Sequence, residues 1–488
     1  MLTYDFSDIS VPLYEYLYNR LKEDIRTGII ARGEKLPSKR TFAKNNGIST
    51  ITVEAAYEQL MSEGFVYALP RRGYFVADIT AKTSKKGLPS SSGPVFPDTS
   101  KKGSLCLDIT VPEKNSGDVI KVDLSDNGTD PDNFPFSVWS RVMRSVITNK
   151  YDVLMKPSPT GGVRELRQAI SEYLKSFRGM LVDPDQIIVG AGTEYLYGLL
   201  IQLLCRNRAI CLENPGYHKS EMIYANNGIE CRHAGMDSDG IIIDELRKCG
   251  ADIVHVSPTH HFPTGITMPV SRRYELLSWA NEKDDRYIIE DDYDSEFRIR
   301  GRPIPPLVSL DGCDRVIHIN TFSKTLASTI RISYMILPRN LANLFYRKLS
   351  FYSCTVSNFE QYALAGFISG RFFEKHINRM RLHYSRMHGI ILECIRNHKL
   401  SRHCEVIEND SGLHFILKIN TSMDDDVLRK KLLEKGVNIH ALSEYYVGSS
   451  ANDLHRFLIN YSNLSAEKMN TALDAIYQCV FGDEARNS

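Results

Sequence analysis

Val316-Ile317-His318-Ile319-Asn320-Thr321-Phe322-Ser323-Lys324-Thr325-Leu326-Ala327-Ser328-Thr329-Ile330-Arg331 is the stretch on which the reading of this sequence turns. Apolar residues at 316, 317 and 319 predict a short strand. The strand runs into a hydroxyl-rich turn that holds one lysine, and Arg331 follows Lys324 by seven positions. A lysine forms an imine with a carbonyl only as the neutral amine, which a desolvated or cationic site favours. Flanking hydroxyls and an arginine suit a phosphate. An imine-forming lysine beside a phosphate-binding cluster is what pyridoxal 5′-phosphate (PLP) requires.

The chain around this stretch is long, at 488 residues, so two or three domains are expected. A net charge of +1 gives no global attraction to nucleic acid or membrane. The ten cysteines show no C-x-x-C pair and fit reduced thiols. Neither a membrane-length apolar run nor a signal pattern is present, so a soluble, cytoplasmic protein is expected.

Upstream of 316 the chain alternates apolar runs with helical segments from about residue 120, the pattern of an α/β fold with a mostly parallel sheet. Strands are expected at Ile187–Val189, Ala209–Leu212, Ile253–Val256, Tyr287–Ile289 and Val316–Ile319. Each ends in a polar turn, and ligands of open α/β sheets bind beyond the strand carboxyl ends. Gly190-Ala191-Gly192-Thr193 opens a helix whose backbone amides can approach an anion. Tyr217 lies on the Glu213-Asn214-Pro215-Gly216-Tyr217 loop, as a ring to stack on a ligand or as a packing residue. The acidic run Glu290–Phe297 is either a solvated turn or the source of one buried carboxylate that keeps a pyridine nitrogen protonated.

Residues 1–78 read differently. Leu13, Leu17, Leu21 and Ile25 recur at helical spacing up to Gly28. Ser38, and then Ser49 or Thr50, are candidate N-caps of two short helices separated by Gly47. Phe65–Tyr67 and Tyr74–Val76 flank Pro70-Arg71-Arg72-Gly73 as a hairpin wing. This segment holds ten Lys/Arg and ten Asp/Glu, but Arg32, Lys35, Lys39, Arg40 and Lys44 cluster near the first short helix. Between the modules, residues 79–119 are a Ser, Gly, Pro and Lys mixture, expected to be a flexible linker.

Gly33-Glu34-Lys35-Leu36-Pro37-Ser38-Lys39-Arg40, Gly47-Ile48-Ser49, Thr52-Val53 and Gly73-Tyr74-Phe75-Val76 resemble the winged helix-turn-helix of the GntR superfamily. The resemblance implies DNA contacts from Ser38, Arg40, Ser49, Thr50, Thr52, Arg72 and Gly73. Thr50 stands where relatives often carry arginine, so their base preference does not transfer.

Gly162-Val163-Arg164-Glu165-Leu166-Arg167, Gly190–Thr193, Glu213–Tyr217, Phe262-Pro263-Thr264-Gly265, Arg272-Arg273, Glu290–Phe297, Thr321–Arg331 and Glu360-Gln361 resemble the fold-type I aminotransferase superfamily. The 33 positions from Asp291 to Lys324 suit that pattern. With the amino-terminal module, the chain is similar to MocR/GabR-type transcriptional regulators. The implied architecture is a winged helix-turn-helix (1–78), a linker (79–119) and an aminotransferase-like module (120–482). The last would hold a mostly parallel seven-stranded sheet and a smaller carboxyl-terminal subdomain. By resemblance, Lys324 is the Schiff-base lysine, Asp291 partners the pyridine nitrogen, Tyr293 the ring oxygen, and Tyr217 stacks on the ring. Gly192, Thr193, Thr321, Ser323 and Arg331 would hold the phosphate.

The sequence departs from that family at three places. Pro157 stands where relatives often supply a phosphate-contacting tyrosine to the partner subunit. Thr325–Ile330 replaces a common Pro-Gly. The carboxylate-binding arginine position falls on Leu458, which leaves Arg456 on the same strand face as the candidate. The resemblance implies a regulator that binds operator DNA as a head-to-tail, domain-swapped homodimer. It would sense PLP, an amine or an amino acid through an aldimine at Lys324. The alternative is a working aminotransferase with an accessory DNA-binding module.

Overall fold

The computed structural model describes residues 2–6, 11–78, 120–125, 128–298, 304–407, 412–448 and 454–482. The chain divides into two compact units, Met1–Ile109 and Thr110–Ser488. The segment 79–119, expected to be a linker, lies outside the described residues.

In the first unit, α1 (Leu13–Thr27) buries Leu17, Leu21 and Ile25, which repeat every four residues and so share one face. Leu13, the first of the expected apolar series, is exposed because it sits in the opening turn, beyond the core. Gly28 ends the helix at φ +82°, a left-handed conformation that glycine adopts without a Cβ penalty. The short helices α2 (Lys39–Asn46) and α3 (Thr50–Ser62) are capped by Ser38 and Ser49, whose hydroxyls accept from the backbone N–H of Thr41 and Thr52. Ser49 is therefore the cap and Thr50 the first helical residue. Strands β1 (Val66–Leu69) and β2 (Gly73–Val76) pair antiparallel, with Val66 opposite Val76. These two valines close a core with Leu36, Phe42, Val53, Tyr57 and Leu60.

The second unit is built on strands β3 (Val122–Asp123), β4 (Ile187–Gly190), β5 (Ile210–Asn214), β6 (Cys231–Asp237), β7 (Gly240–Ile241), β8 (Ile253–Val256), β9 (Tyr287–Asp291), β10 (Val316–Thr321) and β11 (Ser333–Ile336). The main sheet has the order β4-β11-β10-β9-β8-β5-β6-β7. Pairings along β10-β9-β8-β5-β6 are parallel, and β11 runs antiparallel to both its neighbours. Among the described residues the sheet thus has eight strands, not the expected seven. The extra one, β7, is two residues folded back on the end of β6, too short to leave a periodic signal.

Helices cover both sheet faces, which is why the central strands read as unbroken apolar runs. Ile253, Ile289, Ile317 and Ile319 pack on one side, and Val254, Ile288 and Val316 on the other. A smaller antiparallel sheet follows, formed by β12 (Cys404–Ile407), β13 (His414–Ile419), β15 (His440–Ala441) and β16 (Arg456–Asn460) in the order β12-β13-β16-β15. Strand β14 (Val437–Asn438) of this subdomain pairs in parallel with β3, so the first described strand of the unit is held by its carboxyl-terminal part.

Two arginines singled out by motif are structural. Arg167 donates to the carbonyls of Gly162 and Pro184 and to Asp185. Arg273 donates to the carbonyls of Pro258, Met268 and Pro305, fixing the loop that carries Phe262–Gly265. At the end of β9, Arg178 and Asp292 form a fully buried ion pair at 2.6 Å, and Thr259 donates to the second Asp292 oxygen. Arg178→Met strands that carboxylate and is expected to destabilise the unit by about 3–5 kcal/mol. Urea unfolding of the full chain measures this, and adding Asp292→Asn should recover part of the loss.

Candidate cofactor site and nucleic-acid interface

The carboxyl ends of β5, β8, β9 and β10 open into a cavity of about 250 Å³, closed on its far side by Leu413, His414, Tyr445 and Asn460 of the small subdomain. Thr193, Tyr217, Asp291, Tyr293, Thr321, Ser323, Lys324 and Arg331 all line it. These groups come from segments far apart in sequence, brought together by the parallel sheet.

Strand parity decides which carboxylate faces the cavity. Asp291 shares the face of Ile289 and accepts from the Tyr197 hydroxyl at 2.5 Å, with His255 Nε2 at 3.7 Å. Its other oxygen, Oδ1, is buried and has no hydrogen-bond partner among the described residues. Glu290 lies on the opposite face, accepting from the backbone of Leu307 and Val308 and pairing with His318. Asp294 pairs with His260, and Asn320 donates to Glu296. The acidic run is thus not a solvated turn. Glu290, Asp292, Asp294 and Glu296 are buried structural groups.

At the other end, Thr321 caps the turn that carries Lys324. Its Oγ1 accepts from the Ser323 N–H and the Ser333 hydroxyl, leaving the Thr321 proton to donate. The Ser323 hydroxyl donates to the Ile330 carbonyl, so its proton is already committed. Gly192 precedes the helix Thr193–Leu200 at φ +89°. A Cβ there would lie 2.6 Å from Arg331 Nη2, and the positive φ itself disfavours any side chain, so glycine gives the guanidinium room to lie across this helix start. Helix N–H groups and an arginine converging in this way form an anion site.

Tyr217 is half exposed, with its ring edge-on to Phe262 at 5.6 Å. Its loop is joined to the small subdomain through Asn214, which donates to the Val447 carbonyl and accepts from the Val447 N–H. Tyr293 lies 3.1 Å from His260 Nδ1. Burial pushes the Glu213 carboxyl up to about 8 and the His261 imidazole down to about 3, so their 3.5 Å contact is a neutral pair at pH 7.

Arg456 stands at the outer end of β16, opposite Lys418, and is not among the residues lining the cavity. The residue of β16 that reaches it is Asn460. Pro157 is exposed and also outside the lining. Sequence reading missed Tyr197, His255, Glu194 and His414. Tyr197 follows Thr193 by one helical turn, and His255 is a polar residue within an apolar strand run; both signals were present. His414 had none, since its strand comes from the small subdomain.

In the first unit, Ser38, Arg40, Ser49, Thr50 and Arg72 are exposed, while Thr52 and Gly73 are half-buried. Ser38 and Ser49 are engaged as caps, each also hydrogen-bonded to a threonine hydroxyl, Thr41 or Thr52. Lys39 of the basic cluster is tied to Glu54, and Arg32 to Asp78. Arg40, Lys44, Arg71 and Arg72 remain exposed around the helix pair and wing. Ile51, not singled out from sequence, projects with 76% of its surface exposed from the first turn of α3.

Residues 13–76 match the gntR family of bacterial regulatory proteins, and residues 119–476 match aminotransferase class I and II. The chain is 36% identical over 440 residues to the uncharacterised HTH-type transcriptional regulator YdeL of Bacillus subtilis, spanning 90% of each protein. It belongs to the MocR-type transcriptional regulators. The probable rhizopine catabolism regulatory protein MocR of Rhizobium meliloti is 29% identical over 477 residues, covering 96% of this chain and 94% of that one. In structure, the multiple substrate aminotransferase of Thermococcus profundus superposes with a TM-score of 0.66 at 24% identity, covering 76% of this chain and 93% of that chain.

The cofactor of the class I and II aminotransferase family is PLP, and this regulator's residues fit it. The unpartnered Asp291 oxygen suits a protonated ring nitrogen. The glycine-enforced approach of Arg331 to a helix start suits a phosphate. Among the described residues no helix is long and apolar enough to cross a membrane.

Gly192→Ala should displace Arg331 and weaken PLP binding at least about tenfold while leaving far-ultraviolet circular dichroism unchanged; equilibrium dialysis tests it. A second expectation concerns pH. A carboxyl raised from 4.5 to about 8 contributes stability fully present below about 4.5 and lost as pH rises through about 8. The gain in urea midpoint from Glu213→Gln should therefore be larger at pH 8 than at pH 5.

Proposed function

We propose that this protein is a PLP-responsive repressor or activator that reads a double-stranded operator through residues 1–78. It reports the occupancy of the Lys324 cavity by PLP, an amine or an amino acid. The observation that carries this reading is Asp291 Oδ1, a buried carboxylate oxygen without a hydrogen-bond partner among the described residues, in the cavity that also holds Lys324 and Arg331. In a chain that also carries a winged helix-turn-helix, such a cavity is most useful as a sensor.

When bound, PLP supplies a carbonyl for amines and a ring that withdraws electrons. The chain's own residues supply the rest. Asp291, oriented by Tyr197, would hold the ring-nitrogen proton. Arg331, Thr193 and Thr321 would bind the phosphate, with Gly192 keeping the space open. Tyr217 would cover the ring, and the hydrogen bonds of Asn214, three residues before it on the same loop, to Val447 link that cover to the small subdomain. Arg456 lies outside the cavity lining, where Arg331 is the sole arginine among the described residues. An amino compound recognised without a strong carboxylate clamp fits that lining.

Linkage requires the ligand to prefer one DNA-binding state. The assembly that fits is a homodimer reading two half-sites. Such a regulator works in the cytoplasm, where a bacterial chromosome lies.

The test pairs spectroscopy with DNA binding. Adding PLP to the full-length protein should produce a visible absorption band that is absent from Lys324→Ala. On duplexes selected by the protein from a random pool, PLP or an added amine should change wild-type affinity severalfold and leave Lys324→Ala unaffected. Multiple-turnover transamination at an ordinary enzymatic rate, with no selected duplex, would sink the regulator reading in favour of an aminotransferase.

A further inference from the structure

Glu194 is the first residue after Thr193 in the helix whose start faces the phosphate end of the cavity. A carboxylate in a first helical turn is commonplace, because it complements the helix dipole. Its partners here are unusual. One oxygen lies 3.3 Å from Arg331 Nη2, the guanidinium that Gly192 admits, and the other pairs with Lys219 Nζ. Lys219 lies two residues beyond Tyr217, in the helix His218–Asn226, and also lines the cavity. Two cations of the cavity lining, Arg331 and Lys219, therefore share one carboxylate. Lys219 first and Arg331 second hold it below the usual carboxylate range, so it is ionised at neutral pH.

We infer that Glu194 is a built-in rival to the cofactor's phosphate, set to keep PLP binding weak enough to be reversible. This rests on the reading of the cavity as a PLP site. A phosphate at the helix start must share Arg331 with a fixed negative charge and endure its repulsion. All three side chains are about half exposed, so the pairs are loose and the rivalry trims affinity without abolishing it. A regulator needs that property. A cofactor held too tightly never leaves, and its occupancy carries no information about supply. Because Glu194 also engages Lys219, the phosphate end is coupled to the start of the helix that follows Tyr217.

The test is equilibrium dialysis of the full-length protein against PLP and, separately, against pyridoxal, which lacks the phosphate. Glu194→Gln, which keeps the shape and removes the charge, should tighten PLP about tenfold at low ionic strength. The gain should shrink in about 1 M salt, with pyridoxal unchanged throughout. Lys219→Met, an exposed-surface change, should move PLP the other way and again spare pyridoxal. Unchanged or weaker PLP binding by Glu194→Gln overturns the inference, as does equal tightening of pyridoxal. If Glu194→Gln fails to fold, an unchanged PLP affinity in Lys219→Met overturns it alone. A wild-type protein that binds no PLP would instead undo the reading of the cavity, so the two failures are distinct.

Discussion

The end of β9 is held by two charges taken entirely out of water, Arg178 and Asp292 at 2.6 Å. A pair so buried is costly to form and costlier to break, because either partner alone is an uncompensated charge. Its value lies in position. With Asp292 pinned to Arg178 and Thr259, residue 291 can only turn to the opposite side, toward Tyr197 and the cavity. The surrounding carboxylates serve the same end, since Glu290 and Asp294 are consumed by backbone amides and histidines. Asp291 and Glu296 each keep an oxygen without a hydrogen-bond partner among the described residues, and of the two only Asp291 lines the cavity.

The opposite end of the cavity is governed by space more than by charge. Thr321 caps a turn whose short helix carries Lys324, and Gly192 gives up its side chain so that Arg331 can approach a helix start. The two ends are set by neighbouring parallel strands, β9 and β10, so their separation is fixed by the sheet itself. Loops could not hold it as well.

Much of this was legible in the sequence. The apolar run before Lys324, the small residues at 190–193 and the acids at 290–296 each announced a strand or helix end, and the family resemblance ordered them. Parity could tell that Asp291 and Glu290 face apart, but not which side was the cavity; that needed the helix bearing Tyr197. Arg456 was chosen by strand parity, which says nothing about distance along the strand, and the cavity sits at the Asn460 end. β7 escaped notice because two residues carry no period. In the first unit the Ser38 cap and Gly28 were plain, the second cap was narrowed only to Ser49 or Thr50, and the exposure of Ile51 depends on how α3 is rolled against the core.

The pairing of β3 with β14 has a mechanical consequence. Val122 and Asp123, where the chain emerges from the 79–119 segment, are stitched to Val437 and Asn438 of the small subdomain, outside the main sheet. Asn438 adds side-chain bonds to Asp123 and Ser125. Residues 122 and 123 are therefore fixed to the part of the unit that also closes the cavity through His414 and Tyr445. Any shift of that subdomain carries Val122 and Asp123 with it, as a boom carries a cleat fixed at its end.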